Sequence, residues 1–178
     1  MSIISKKICL VGDFGVGKTS LIRRFIEQRF SDQYLSTIGV SISRKQVAIS
    51  TQEDSSEQTV QLLIWDIEGK TKFQEISPTY LKSAHGVIIV ADSNRPETLE
   101  NISSHINLAF SANPQGISIS IVFNKVDLVA QDHVEILVKQ HQFFNNSHVI
   151  PTYCTSAKTG ENVEKMFYQL AQSMTKKS

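Results

Sequence analysis

Cysteine is nearly absent from this chain of 178 residues: only Cys9 and Cys154 occur, both inside apolar runs. Neither has a cysteine or histidine at metal-ligand spacing, which argues against a disulfide framework or a zinc site and for buried thiols in a reducing compartment. An excess of one charge is also missing. Eighteen Lys plus Arg against seventeen Asp plus Glu leave +1, so no sequence-wide field gathers nucleic-acid phosphates or anionic lipid. No apolar run approaches the roughly 20 residues that span a bilayer. The segment Met1 to Lys7 is too short and too charged for the core of a signal peptide. Ser2 stands where N-myristoylation needs glycine, and Met174-Thr175-Lys176-Lys177-Ser178 offers no cysteine for prenylation. A soluble, cytoplasmic chain with no nucleic-acid partner and no direct membrane anchor is expected, so that any membrane association runs through partners.

Ordinary globular composition, with 40% hydrophobic and 20% charged residues, supports one domain over residues 1–178. Short apolar runs alternate with segments of helical spacing, the pattern of a sheet covered by helices on both faces. The runs are Ile8 to Val11, Leu62 to Trp65, Gly86 to Ala91, Ile117 to Phe123 and Val149-Ile150. Between them, Leu21, Ile22, Phe25 and Ile26 make one helical stripe. Leu99, Ile102 and Ile106 make another after a start at Asn94-Arg95-Pro96, and Val163, Met166, Phe167, Leu170 and Met174 a third. The runs Val40 to Ile49 and Thr59 to Trp65 flank a polar stretch too short for a crossover helix, so they are expected to pair antiparallel. The fold expected is a three-layer α/β domain with a mixed, mostly parallel six-stranded sheet and about five helices.

The segment Gly12-Asp13-Phe14-Gly15-Val16-Gly17-Lys18-Thr19 follows the first strand and opens the first helix. It fits the pattern of glycine, four residues, then Gly-Lys-Ser/Thr. In that setting backbone N–H groups wrap phosphate oxygens and the helix N-terminus adds its positive dipole. Lys18 then faces the β- and γ-phosphates, and the Thr19 hydroxyl joins an octahedral Mg²⁺ shell. At the end of the third strand, Trp65-Asp66-Ile67-Glu68-Gly69 offers the Asp66 carboxylate as a second Mg²⁺ contact, through water, and the Gly69 N–H for a γ-phosphate.

Asn124-Lys125-Val126-Asp127 closes the fifth strand. A carboxylate there accepts the N1–H and exocyclic amine of guanine, a donor pair that adenine lacks. Thr155-Ser156-Ala157-Lys158 follows the last strand. There the Ala157 N–H reaches guanine O6, and the stems of Lys125 and Lys158 flank the base. A phosphate-loop ATPase or small-molecule kinase would carry a similar loop; Asn124 to Asp127 opposes that reading. The five histidines, His85, His105, His133, His141 and His148, show no ligand spacing and are expected at the surface or in the core.

These residues resemble the Ras-like small GTPases, most closely the Rab branch, over the chain from Lys6 to about Thr175. Gly12 to Ser20 is similar to the family's first motif, Tyr34 to Gly39 to its first switch, Trp65 to Gly69 to its third motif, Asn124 to Asp127 to its fourth and Ser156 to Lys158 to its fifth. The Rab leaning rests on Thr37-Ile38-Gly39, on Trp65 and on Ser83 to Val90. The resemblance implies a G domain that binds GTP and GDP with Mg²⁺ and works as a slow molecular switch in signalling or vesicle-trafficking-like regulation. It also implies effector, exchange-factor and GTPase-activating partners and a monomer. It would have Thr37 bind Mg²⁺ and γ-phosphate, and Phe30 stack on the base; the residues alone leave Phe30 open between base and core.

Three departures stand out. Lys70 occupies the place where the family carries the Gln that orients the attacking water, and lysine donates but cannot accept. Glu68 replaces the usual alanine, where it either turns from the phosphates or pairs with Lys70. Phe14 fills a loop position that is small in relatives, and its ring either obstructs a partner's arginine or packs on the switches. Hydrolysis is therefore expected to be slow, with a module that holds guanine nucleotide without turnover as the alternative.

Overall fold

The computed structural model describes residues 3–33, 36–50, 57–71, 74–140 and 151–175. The expected strand at Val149-Ile150, the hairpin loop at 51–56 and the switch residues Tyr34 and Leu35 lie outside them. Six strands form one sheet: β1 (Ile4–Gly12), β2 (Val40–Ser50), β3 (Glu57–Ile67), β4 (Gly86–Asp92), β5 (Ser118–Asn124) and β6 (Tyr153–Cys154), in the order β2-β3-β1-β4-β5-β6. The β2–β3 pair is antiparallel and the other pairings are parallel, so the sheet is mixed and mostly parallel as expected. The helices are α1 (Lys18–Glu27), α2 (Pro96–Glu100), α3 (Ile102–Ala112), α4 (Gln131–Gln140) and α5 (Val163–Ser173).

Alternation along each strand sends side chains to two cores. From β1, Ile8 and Leu10 join one core with α1 and α5, whose Phe25 and Phe167 rings stack at 4.0 Å. Cys9 and Val11 join the other, with Leu99, Ile102 and Ala109 of α2 and α3 and Leu137 of α4. Both cysteines are free, Cys9 buried and Cys154 half-buried, and burial pushes the Cys9 thiol up to about 12. Among the described residues no group of His, Cys, Asp and Glu is placed to hold a metal through three or more such side chains, and no helix is long and apolar enough to cross a membrane.

Among the described residues the sixth strand is Tyr153–Cys154, paired in parallel with Val122 and Phe123, while the expected run Val149-Ile150 lies outside them. Two expectations are corrected. The stripe through Leu99, Ile102 and Ile106 is two helices that break at Asn101. Helix α4 was not foreseen, because only Val134 and Leu137 of its ten residues are buried and so its apolar stripe is faint. What the fold does for function is simple. Strands β1, β3, β4, β5 and β6 run in parallel, so Gly12, Ile67, Asp92, Asn124 and Cys154 end at one edge of the sheet, where open α/β folds place their ligands.

Candidate functional site

At that edge lies a cleft of about 290 Å³. Its wall contains Phe14, Gly15, Gly17, Lys18, Thr19 and Ser20 from the glycine-rich loop and the start of α1. Phe30, Thr37 and Gly69 contribute from the segments around it, and Asn124, Lys125, Asp127, Ala157 and Lys158 from the far end. Stretches separated by more than 100 residues thus share one wall.

The loop holds its shape through side chains sent from the strand ends. Asn124 Nδ2 donates to the Val16 carbonyl at 2.9 Å, and Lys125 Nζ to the Gly15 carbonyl at 2.7 Å. Lys125 also pairs with the buried Asp92, Nζ to Oδ2 2.7 Å. Gly17 has φ +99°, and a Cβ there would lie 2.3 Å from Asn124 Nδ2, so only glycine fits between loop and strand. Val16 itself is fully buried in the core and does not line the cleft. Lys18 is 6% exposed, with Nζ donating to the carbonyls of Gly12 (3.0 Å) and Asp13 (2.8 Å).

Beside it, three oxygen-bearing side chains meet. Thr19 Oγ1 lies 2.8 Å from Thr37 Oγ1, and both hydroxyls donate to Asp66 Oδ2, at 2.6 Å and 3.2 Å. Burial pushes the Asp66 carboxyl up, against the lowering effect of those hydrogen bonds and of Lys18 and Arg23. Its other oxygen, Oδ1, is buried with no hydrogen-bond partner among the described residues. An orphaned carboxylate oxygen inside an all-oxygen set is the chemistry of a hard cation such as Mg²⁺, so the donors fit the ion that the sequence implies.

At the far end, Ser156 Oγ donates to Asp127 Oδ1 at 2.5 Å, and Thr155 Oγ1 and the Ala157 N–H donate to Asn124 Oδ1 at 3.1 Å and 3.3 Å. Ser156 is buried and holds Asp127 rather than lining the cleft. Arg24 braces the last loop from α1, with Nε to the Ala157 carbonyl at 2.8 Å and Nη2 to that of Lys158 at 2.5 Å. Phe30 packs against the core cluster and also lines the cleft.

Other placements differ from expectation. Asp13 is 7% exposed, and its side chain turns away from the cleft, onto Asn101 and His105, because it leaves the loop on the side facing α3. Lys70 does not line the cleft. Its ammonium pairs with Glu75 at 3.3 Å, while its main chain bridges the loop: Phe14 N–H to the Lys70 carbonyl 2.9 Å, Lys70 N–H to the Gly12 carbonyl 3.1 Å. That bridge needs Gly69, whose Cβ would sit 2.7 Å from the Phe14 backbone. Glu68 does not pair with Lys70 either. Its Oε2 accepts from the Gly39 N–H at 2.9 Å and its own N–H donates to the Gly39 carbonyl at 2.8 Å, fastening the start of β2 to the end of β3. Phe14 is 43% exposed at the rim. Arg23 was missed. It follows Thr19 by one helical turn and so shares its face, a signal present in the sequence.

A phosphate loop, an oxygen cluster beside its lysine and an Asn-Lys-x-Asp turn around one cleft define the class: a phosphate-loop nucleotide-binding α/β protein. Residues 7–176 match the Ras family model, and the chain belongs to that family, the small GTPases. It is 34% identical over 165 residues to the Ras-related protein Rab-1A of Dictyostelium discoideum, covering 93% of this chain and 78% of that one. It is 33% identical over 168 residues to the GTP-binding protein ypt1 of Schizosaccharomyces pombe, covering 94% and 79%. The Ras-related protein Rab-13 of Mesocricetus auratus is 33% identical over 172 residues, covering 97% and 81%. The Rab branch is thus where the similarity falls.

Proposed function

We propose that the chain is a cytoplasmic, monomeric switch of one G domain, alternating between GTP and GDP and hydrolysing GTP slowly, in intracellular signalling or trafficking-like regulation. The observation that carries this is the single cleft shared by the loop of Lys18, the Thr19–Thr37–Asp66 cluster and the turn of Asp127. In this reading the loop amides and Lys18 bind the phosphates, Gly69 offers its N–H to the γ-phosphate, and Asp127 and Ala157 read the base. Thr19, Thr37 and Asp66 would hold Mg²⁺, which when bound neutralises phosphate charge. Thr37 already meets Thr19 and Asp66, so closing the first switch on a triphosphate requires no long excursion of that residue. Effectors then read the surface that Thr37 and Gly69 order, and exchange and activating proteins act on the cycle.

Slow hydrolysis follows from Lys70. An ammonium cannot hold water by accepting a hydrogen bond, and here it is committed to Glu75. Single-turnover hydrolysis of bound GTP is expected to run no faster than the roughly 3–5 × 10⁻⁴ s⁻¹ of an unassisted Ras protein. Lys70→Gln is expected to raise it about a hundredfold, the low end of what one positioned group contributes. A fast wild type, or a slower variant, removes Lys70 as the cause. The Lys70–Glu75 pair also favours a second reading, a guanine-nucleotide-binding module without turnover. Nucleotide extracted from freshly purified protein separates the two: mostly GDP supports the switch, retained GTP the module.

A further inference from the structure

Asp13 is the one acidic residue of the phosphate loop, and its outward turn is specific. Asn101 Nδ2 donates to its Oδ2 at 2.7 Å, and His105 Nε2 donates to its Oδ1 at 3.1 Å. A carboxylate only accepts, so Nε2 carries the proton. His105 is 2% exposed, and Asn101 is the residue at which α2 and α3 part. The break in the helical stripe therefore puts an amide and an imidazole, one turn apart, against the back of the loop.

The need for such a clasp is electrostatic. Asp13 places a buried negative charge in the loop whose amides and lysine would grip a polyanion. Its own carbonyl accepts from Lys18 Nζ at 2.8 Å, and its carboxylate is close enough to act on the charges of Lys18 and Lys70. Burial would push the Asp13 carboxyl up, yet the hydrogen bonds from His105 and Asn101, with the charges of His105 and Lys70, hold it below its ordinary range. The clasp thus keeps the carboxylate ionised although its side chain is only 10% exposed, and spreads its charge away from the cleft.

We propose that Asn101 and His105 are positioning residues that clasp Asp13, so that its charge does not oppose the loop's hold on the terminal phosphate of a nucleoside triphosphate. The inference rests on the nucleotide reading above and adds residues outside the cleft to it. Its signature is a difference between ligands. A triphosphate carries more charge near Lys18 than a diphosphate, so an unclasped Asp13 penalises the former more.

The test is calorimetry of the full chain with Mg²⁺, using GDP and a non-hydrolysable GTP analogue. His105→Leu is expected to weaken the analogue on the order of tenfold and GDP by much less. Adding Asp13→Asn to His105→Leu restores most of the loss, because the unclasped charge is gone. His105→Gln, which keeps an N–H donor, stays near the wild type. Should His105→Leu not fold, the half-exposed Asn101→Ala removes the other bond and is expected to give a smaller loss of the same sign, again rescued by Asp13→Asn. Equal weakening of both ligands, or no rescue, reduces the clasp to packing and overturns the inference while leaving nucleotide binding intact. A wild type that takes up neither ligand overturns the parent reading instead.

Discussion

Asp127→Asn is expected to lower the affinity for GTP and GDP by about 10⁴-fold and to shift preference toward xanthine nucleotides, as read by competition among GTP, XTP and ATP. The carboxylate lines the far end of the cleft and is fixed by Ser156 Oγ at 2.5 Å. Two acceptor oxygens match the two donors of guanine, its N1–H and its exocyclic amine. Asparagine replaces one acceptor with an NH₂ group, which then faces a donor and leaves both without a partner once the base covers them. Xanthine carries a carbonyl where guanine has the amine, so the same substitution creates a match there. The buried Asn124 is unaffected, since its amide is spent on the Val16 carbonyl and on Thr155 and Ala157. An undiminished preference for guanine in the variant, or comparable ATP and GTP affinities in the wild type, would remove Asp127 from base recognition.

How much of this was legible in the sequence depended on whether a residue's task is local. The loop from Gly12 to Thr19 was legible because glycine spacing, lysine and hydroxyl sit together between a strand and a helix, and the antiparallel β2–β3 pair because nothing between its runs was long enough to cross over. The pairing of Tyr153 and Cys154 with Val122 and Phe123 was not, since two residues carry no periodicity of their own. Nor was the orientation of Asp13. Its partners are 88 and 92 residues away, and no local pattern announces that Asn101 and His105 will lie behind the loop. His105 was read as surface or core; it is core, and it also holds a loop carboxylate. The alternatives for Glu68 differed only in which neighbour it meets, and the register Val40 to Ile67 decided it by setting Gly39 opposite Glu68.

Lys18→Met is expected to weaken GTP binding about 10³-fold, from the loss of two charge-assisted hydrogen bonds to phosphate oxygens at roughly 1.5–3 kcal/mol each. The same substitution should have the opposite sign on the empty protein. Burial holds the Lys18 ammonium down to about 8, despite the opposing charges of Asp66 and Asp13. A lysine so far below its ordinary value has lost its water without gaining a full counterion. Two of its three donors are met by the carbonyls of Gly12 and Asp13, and neither carries a formal charge to balance it. An apolar side chain of similar length relieves that cost when no nucleotide is bound and forfeits the interaction when one is. Thermal melting with and without GTP and Mg²⁺ reads both. The variant should melt at or above the wild type when empty and below it when loaded. A variant that melts lower in both states would make Lys18 a structural brace whose ammonium serves the loop carbonyls, and the phosphate role would pass to the main-chain amides alone.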